Sequence, residues 1–265
     1  MDLKYKRSSF LIHDERKLIW CDNRIIWDFW FRLILYRIKF ENADILGRHD
    51  LKSVAKLNNL MWHPIDRWKK IFDNFQNILF LMDPFERLIF AYKELFESCG
   101  EAPNLNCDID LIKQLCTEIG GCNGRILQAN RIRAPSFLNF MKIVTHWKWN
   151  MYWTPITKMC LPCQLKIQNL LRLECLETHL AQFLNDTLEM TLDEAPLSIR
   201  NYYTRYKISD QITKYFKDIP TYIIIELWRV YAYDIILFNY KFNDFDRAEL
   251  KEIKRSNFIT ALNLL

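Results

Sequence analysis

Asn77-Ile78-Leu79-Phe80-Leu81-Met82-Asp83-Pro84-Phe85-Glu86-Arg87-Leu88-Ile89-Phe90-Ala91-Tyr92-Lys93 is the stretch whose reading decides the fold. Residues 77–82 are a compact apolar run of strand length, closed by Asp83-Pro84. Proline suits the first helical position, where its missing N–H costs nothing. A helix is therefore predicted from Pro84 to about Glu97.

Working outward, residues 17–21 read as a short strand. Residues 25–40 carry apolar side chains at helical spacing, and residues 50–60 and 64–75 read as helices. Residues 98–106 read as a loop. Residues 108–118 read as helical, with Leu111, Ile112 and Leu115 on one face. Gly120-Gly121-Cys122-Asn123-Gly124 is a turn cluster. A helix follows over 135–146, a third strand over 166–173 and another helix over 175–184. Residues 187–201 are irregular, and helices over 209–216 and 220–238 follow. Strands followed by helices make the fold α/β with helix dominating. No linker interrupts the pattern, so residues 1–265 read as a single domain.

Composition narrows the function classes. The chain has 265 residues but five glycines, against 18 Phe, 12 Tyr and 9 Trp. That aromatic load excludes a disordered or low-complexity chain. Glycine scarcity bears on phosphate chemistry, because loops that cradle phosphates need backbone N–H groups to converge. The aromatic excess is read as core packing before a sugar-stacking surface. Net charge is +5, too weak to argue for nucleic acid. Clusters at residues 4–7, 67–70 and 251–255 read as solvated faces, and a polyanionic partner remains allowed.

Eight cysteines favour structural disulfides in a secretory compartment. Zinc at these spacings and redox chemistry at Cys160-Leu161-Pro162-Cys163 are the weaker alternatives. The five histidines show no metal spacing, so no metal is assigned. Asn185-Asp186-Thr187 is a glycosylation sequon. Against the secretory reading, residues 1–9 are charged and lack an apolar leader core. No 18-residue uncharged apolar run exists either.

The opening stretch resembles the 3′-phosphate-binding segment of the Golgi carbohydrate sulfotransferases, of the chondroitin 4-O, dermatan 4-O and HNK-1 type. Their pattern is a strand followed by Arg-Asp-Pro-Phe-Glu-Arg-Leu-x-Ser-Ala-Tyr-Arg. Three more segments are similar, in the same order. Trp153-Thr154-Pro155 through Cys160-Leu161-Pro162-Cys163 resembles His-Trp-x-Pro-x-x-x-x-Cys-x-Pro-Cys. Leu170-Leu171-Arg172-Leu173-Glu174-Cys175-Leu176-Glu177 resembles Val-Gly-Lys-Phe-Glu-Thr-Leu-Glu. Tyr231, Asp234, Phe238 and Tyr240 fall on a closing helix that ends Asp-Phe-x-x-Phe-x-Tyr. The likeness runs from about Phe10 to Tyr240.

The resemblance implies a P-loop-like α/β sulfotransferase fold, a short parallel sheet flanked by many helices. It implies the donor 3′-phosphoadenosine 5′-phosphosulfate (PAPS) and sulfuryl transfer to a glycan hydroxyl. It implies the Golgi lumen or secretory pathway, an acidic or neutral glycan partner, and no nucleic acid. Membrane association is expected only through a segment absent from this chain. Such chemistry needs an anion cradle, a cation on the bridging oxygen and a base for the acceptor hydroxyl.

Departures from the pattern fall on the donor-binding positions. The family's first loop, Cys-x-x-Pro-Lys-x-Gly-Cys-Thr-Asn-Trp-Lys, is met here by Cys21 to Arg32. Arg24 then stands on the Lys, Ile26 on the Gly and Asp28 on the Thr. Isoleucine disfavours the positive φ that glycine allows. A carboxylate about 4 Å from the phosphosulfate costs several kcal/mol at intermediate dielectric. Met82 replaces the Arg and Phe90 the Ser that grip the 3′-phosphate, and neither side chain can donate to it. Tyr152 stands where the family has His. Arg172 occupies a family Lys position. The donor-site positions are thus Arg24, Asp28, Met82, Phe90 and Arg172, mostly substituted, and no catalytic residue is assigned. The expectation is a family member whose donor site has drifted, or a catalytically inactive relative that keeps the fold as a binding or scaffold module.

Overall fold

The computed structural model describes residues 10–23, 58–59, 64–97, 109–118, 120–124, 126–127, 132–146, 150–163, 165–189, 191 and 211–240. In chain order the strands and helices are β1 (Phe10–His13), β2 (Leu18–Cys21), β3 (Asn58–Asn59), α1 (Ile65–Asn74), β4 (Gln76–Leu81) and α2 (Pro84–Tyr92). Then come α3 (Ile109–Glu118), β5 (Ile126–Leu127), β6 (Ile132–Arg133), α4 (Phe137–His146), α5 (Ile156–Cys160) and β7 (Asn169–Arg172). The last are α6 (Leu176–Phe183), α7 (Ile212–Phe216) and α8 (Thr221–Leu237). α2 and α6 each run on into a π-helical turn, Lys93–Glu97 and Leu184–Leu188. The chain gathers into two compact units. The first combines Met1–Met82 with Ile156–Tyr206, and the second combines Asp83–Pro155 with Lys207–Leu265.

The first unit is built on a sheet of order β3-β1-β2-β4-β7. β2, β4 and β7 are mutually parallel neighbours, with Leu18 opposite Gln76 and Leu81 opposite Arg172. β4 lies between the other two and is buried from Asn77 to Leu81. A strand covered on both faces must be apolar throughout, which is why Ile78-Leu79-Phe80-Leu81 shows no alternation. Asn77 is the polar exception. Its Nδ2 donates to the carbonyls of Phe72 and Lys166, tying the end of α1 and the approach to β7 to the start of β4. Cys21, the last residue of β2, is disulfide-bonded to Cys160, the last residue of α5. The bond closes a chain separation of 139 residues.

Besides the short β5 and β6, two strands of the main sheet differ from the sequence expectation. β1 forms an antiparallel hairpin with β2, Phe10 opposite Cys21 and His13 opposite Leu18. Asn58–Asn59, expected inside a helix over 50–60, pairs antiparallel with Leu11 and Ile12 instead. Long-range pairing overrides local preference here, as is common for short edge strands. The expected helix over 25–40, Cys99 and Cys107 lie outside the described residues.

The second unit is mainly helical and includes the antiparallel β5–β6 pair. Nearly the whole of α2 is buried, including Phe85, Arg87, Leu88, Ile89, Phe90 and Ala91. It packs against α7 and α8, and α8 packs against α4. Aromatic rings fill the interior: Tyr92 lies 5.1 Å from Phe137, and Phe137 5.1 Å from Phe216. Phe140 meets Trp153 edge-on at 5.4 Å. Phe140, Trp153 and Phe216 are buried core, and Tyr92 and Phe137 are half-buried. Cys116–Cys122 closes a short loop after α3, where Gly120 and Gly121 adopt φ of +74° and +120°. A Cβ on Gly124 would meet the Ala134 carbonyl oxygen at 2.5 Å, so that turn requires glycine. Among the described residues, no helix is long and apolar enough to cross a membrane.

Candidate functional site

In open α/β sheets ligands sit outside the carboxyl ends of parallel strands. In the first unit those ends belong to β2, β4 and β7, which present Cys21-Asp22-Asn23, Met82 and Arg172-Leu173. Asp22 and Asn23 are buried. Asn23 Nδ2 donates to the Phe80 carbonyl at 2.9 Å, pinning the exit of β2 to β4. The Cys21–Cys160 bond holds the same exit from the other side. The strand ends from which the family's donor loop departs are therefore well anchored. Arg24 and Asp28, the positions on that loop, lie outside the described residues.

Met82 follows Leu81, the residue opposite Arg172 in the parallel register, so the structure brings Met82 and Arg172 to one edge. Met82 is 8% exposed and Arg172 half-buried. The main-chain N–H of Arg172 donates to His179 Nδ1 at 3.2 Å, which folds α6 back against the end of β7. Among the predicted positions described in this unit, Arg172 alone carries a cation.

Phe90 belongs to the second unit, on α2, and is 3% exposed. The amino end of α2 has no spare donor for an anion. Pro84 lacks an N–H. The amides of Phe85 and Glu86 donate to Asp83 Oδ1 at 2.8 and 3.2 Å, and that of Arg87 to the Asp83 carbonyl at 2.8 Å. The residues at the family's two 3′-phosphate positions are thus a buried methionine and a buried phenylalanine, neither of which can donate a hydrogen bond through its side chain.

The motif's Arg87 serves the core of the second unit. It is fully buried, and its Nη2 donates to the Met151 carbonyl at 3.3 Å. Burial holds its guanidinium below the ordinary value, opposed by Tyr231, Asp234 and Tyr240 nearby. Burial pushes the Tyr231 phenol up, with Asp234 adding and Arg87 opposing. Tyr231 donates its hydroxyl to the Trp153 carbonyl. Residues from three of the resembling segments thus converge on one buried polar knot: Arg87, Trp153, and the closing-helix group of Tyr231, Asp234 and Tyr240. The knot is architecture, joined through the Trp153 main-chain carbonyl and the side chains of Arg87 and Tyr231. The signal for it was Asp234, an acidic residue in helical register with the apolar Leu227 and Tyr231.

Cys163, which completes the Cys-x-x-Cys, is an exposed free thiol, as is Cys175. Cys160 is bonded to Cys21 and not to Cys163, so the pair is no redox disulfide here. Among the described residues, no group of His, Cys, Asp and Glu could hold a metal ion.

The sulfotransferase family profile matches residues 9–241. Carbohydrate sulfotransferase 11 of Mus musculus is 21% identical over 253 residues, which covers 90% of this chain and 68% of the relative. Carbohydrate sulfotransferase 12 of Xenopus laevis is 25% identical over 174 residues, 63% of this chain and 40% of the relative. Carbohydrate sulfotransferase 9 of Homo sapiens is 21% identical over 258 residues, 88% of this chain and 53% of the relative. No solved structure matches. The chain belongs to the sulfotransferase family. Within it, the chain is a divergent member of the carbohydrate sulfotransferases, whose sulfate donor is PAPS.

Proposed function

We propose that this chain is a carbohydrate O-sulfotransferase family member whose donor site has drifted out of range of PAPS, and that it works as a glycan-binding or scaffold module. The observation that carries this is the burial of Met82 and Phe90 at the two positions whose side chains grip the 3′-phosphate in the family. Charge-assisted hydrogen bonds are worth roughly 1.5–3 kcal/mol each. Losing two weakens the donor by orders of magnitude. Asp28, on the position of a phosphosulfate-binding Thr, adds repulsion. The intact core and buried polar knot support a retained fold. The family match spans both compact units, which supports reading residues 1–265 as one sulfotransferase-like domain.

The partner under this reading is an acidic or neutral glycan chain, and the compartment is the Golgi lumen or secretory pathway. The Cys21–Cys160 and Cys116–Cys122 disulfides support an oxidising compartment. The test is a transfer assay with labelled PAPS and desulfated chondroitin, beside retention of the chain on immobilised glycan. Glycan binding without label transfer supports the reading, and catalytic label transfer overturns it.

A second reading is favoured by Arg172. Arg172 puts a half-buried cation at the end of β7, on a family Lys position, and Arg24 stands on the Lys position of the family's first loop. Under it the chain is a PAPS-dependent sulfotransferase with weakened donor affinity, and label transfer saturates only at high PAPS.

A further inference from the structure

We propose that Asn185 is an N-glycosylation site and that the outer stripe of α6 with its π-helical turn carries the glycan. Asn185-Asp186-Thr187 is the single Asn-x-Ser/Thr triplet in the 265 residues. Its middle residue is not proline, so the acceptor requirement is met. A sequon alone carries little weight, because such triplets arise by chance. The placement of this one adds to it.

The segment from Leu176 to Leu188 presents two faces. Leu180, Phe183, Leu184 and Leu188 are buried, and α6 packs on β7 through this side. Thr178, Gln182, Asn185, Asp186 and Glu189 are exposed and fall on the opposite stripe at helical spacing. Among the described residues, Asn185 Nδ2 donates only to the neighbouring Asp186 Oδ1, at 2.9 Å. A glycan there displaces no packing among the described residues. The stripe is polar along its length, the surface expected beneath a bulky, solvated sugar chain.

The modification needs passage through an oxidising secretory compartment, so it rests on that part of the proposed function. It does not rest on donor loss. A chain that bound PAPS and was glycosylated at Asn185 would overturn the donor reading and leave this one standing.

The test uses the full chain directed into the secretory pathway of cultured cells by a cleavable leader. Peptide mass mapping first establishes that the Cys21–Cys160 bond has formed. The expected result is one mobility shift on treatment with peptide N-glycosidase, with Asn185 converted to Asp. Asn185→Gln and Thr187→Ala should each abolish the shift, and Thr187→Ser should retain it. A disulfide-bonded chain with unmodified Asn185 overturns the proposal. So does a shift that survives Asn185→Gln.

Discussion

Asp83 Oδ1 accepts the main-chain N–H of Phe85 at 2.8 Å, closing the amino end of α2 with the chain's own carboxylate. The bond serves the fold and occupies an amide that an incoming anion would otherwise meet. Removing an Asp N-cap costs about 1 kcal/mol. Asp83→Ala should therefore lower the unfolding free energy read from urea denaturation by that amount, while Asp83→Asn, an equally good cap, should leave it nearly unchanged. Equal loss in both variants would show that the carboxylate acts through its charge and not as a cap.

Met82 and Phe90 should respond differently to restoration of the family residues. Met82→Arg regains one charge-assisted interaction, roughly 1.5–3 kcal/mol or a 10- to 100-fold gain in affinity for PAP, the donor product. Phe90→Ser empties a ring-sized volume in the core and should cost about 3 kcal/mol or more in stability. Calorimetric titration and chemical denaturation of the two single variants separate the effects. A Met82→Arg variant that is folded and gains nothing would place the 3′-phosphate elsewhere.

The opening strand and helix were legible because their signals are local: an unbroken apolar run, then Asp-Pro. β1 was not, because Phe10–His13 is short and is made a strand by β2 and by the distant Asn58–Asn59. Two asparagines carry no strand preference of their own. The aromatic core was visible in composition, whereas the polar knot depends on segments separated by up to 153 positions, Arg87 to Tyr240. The donor positions were legible through the family pattern alone, since Met82 and Phe90 look like ordinary core residues by burial.

Disulfide removal should follow loop length. By the chain-entropy relation, the Cys21–Cys160 bond, spanning 139 residues, is worth about 5 kcal/mol, and Cys116–Cys122, spanning six, about 2 kcal/mol. Cys21→Ser should accordingly destabilise far more than Cys116→Ser in thermal denaturation. Alkylation of the native chain should label Cys163 and Cys175 and spare Cys21, Cys116, Cys122 and Cys160. Labelling of Cys21 without denaturant would contradict the anchored exit of β2.

Alkaline pH should weaken the fold through Tyr215 and Tyr231. Burial raises both phenols above the ordinary value, and for Tyr215 the carboxylate of Glu97, at 2.7 and 2.8 Å, adds to the rise. Above about pH 10 the unfolded chain releases these protons while the folded chain keeps them. The folded state then binds more protons, and stability falls as pH rises. Urea midpoints between neutral pH and pH 10.5 should decline, more shallowly in a Tyr215→Phe, Tyr231→Phe double variant than in the parent. Parallel slopes would remove these tyrosines from the alkaline response.

The central claim is that the chain keeps the sulfotransferase fold and has lost its grip on the donor. Isothermal titration calorimetry of the full, disulfide-bonded chain with PAP tests it most directly, with cooperative thermal unfolding confirming that the sample is folded. The account predicts no saturable binding at millimolar PAP. A micromolar dissociation constant would contradict it.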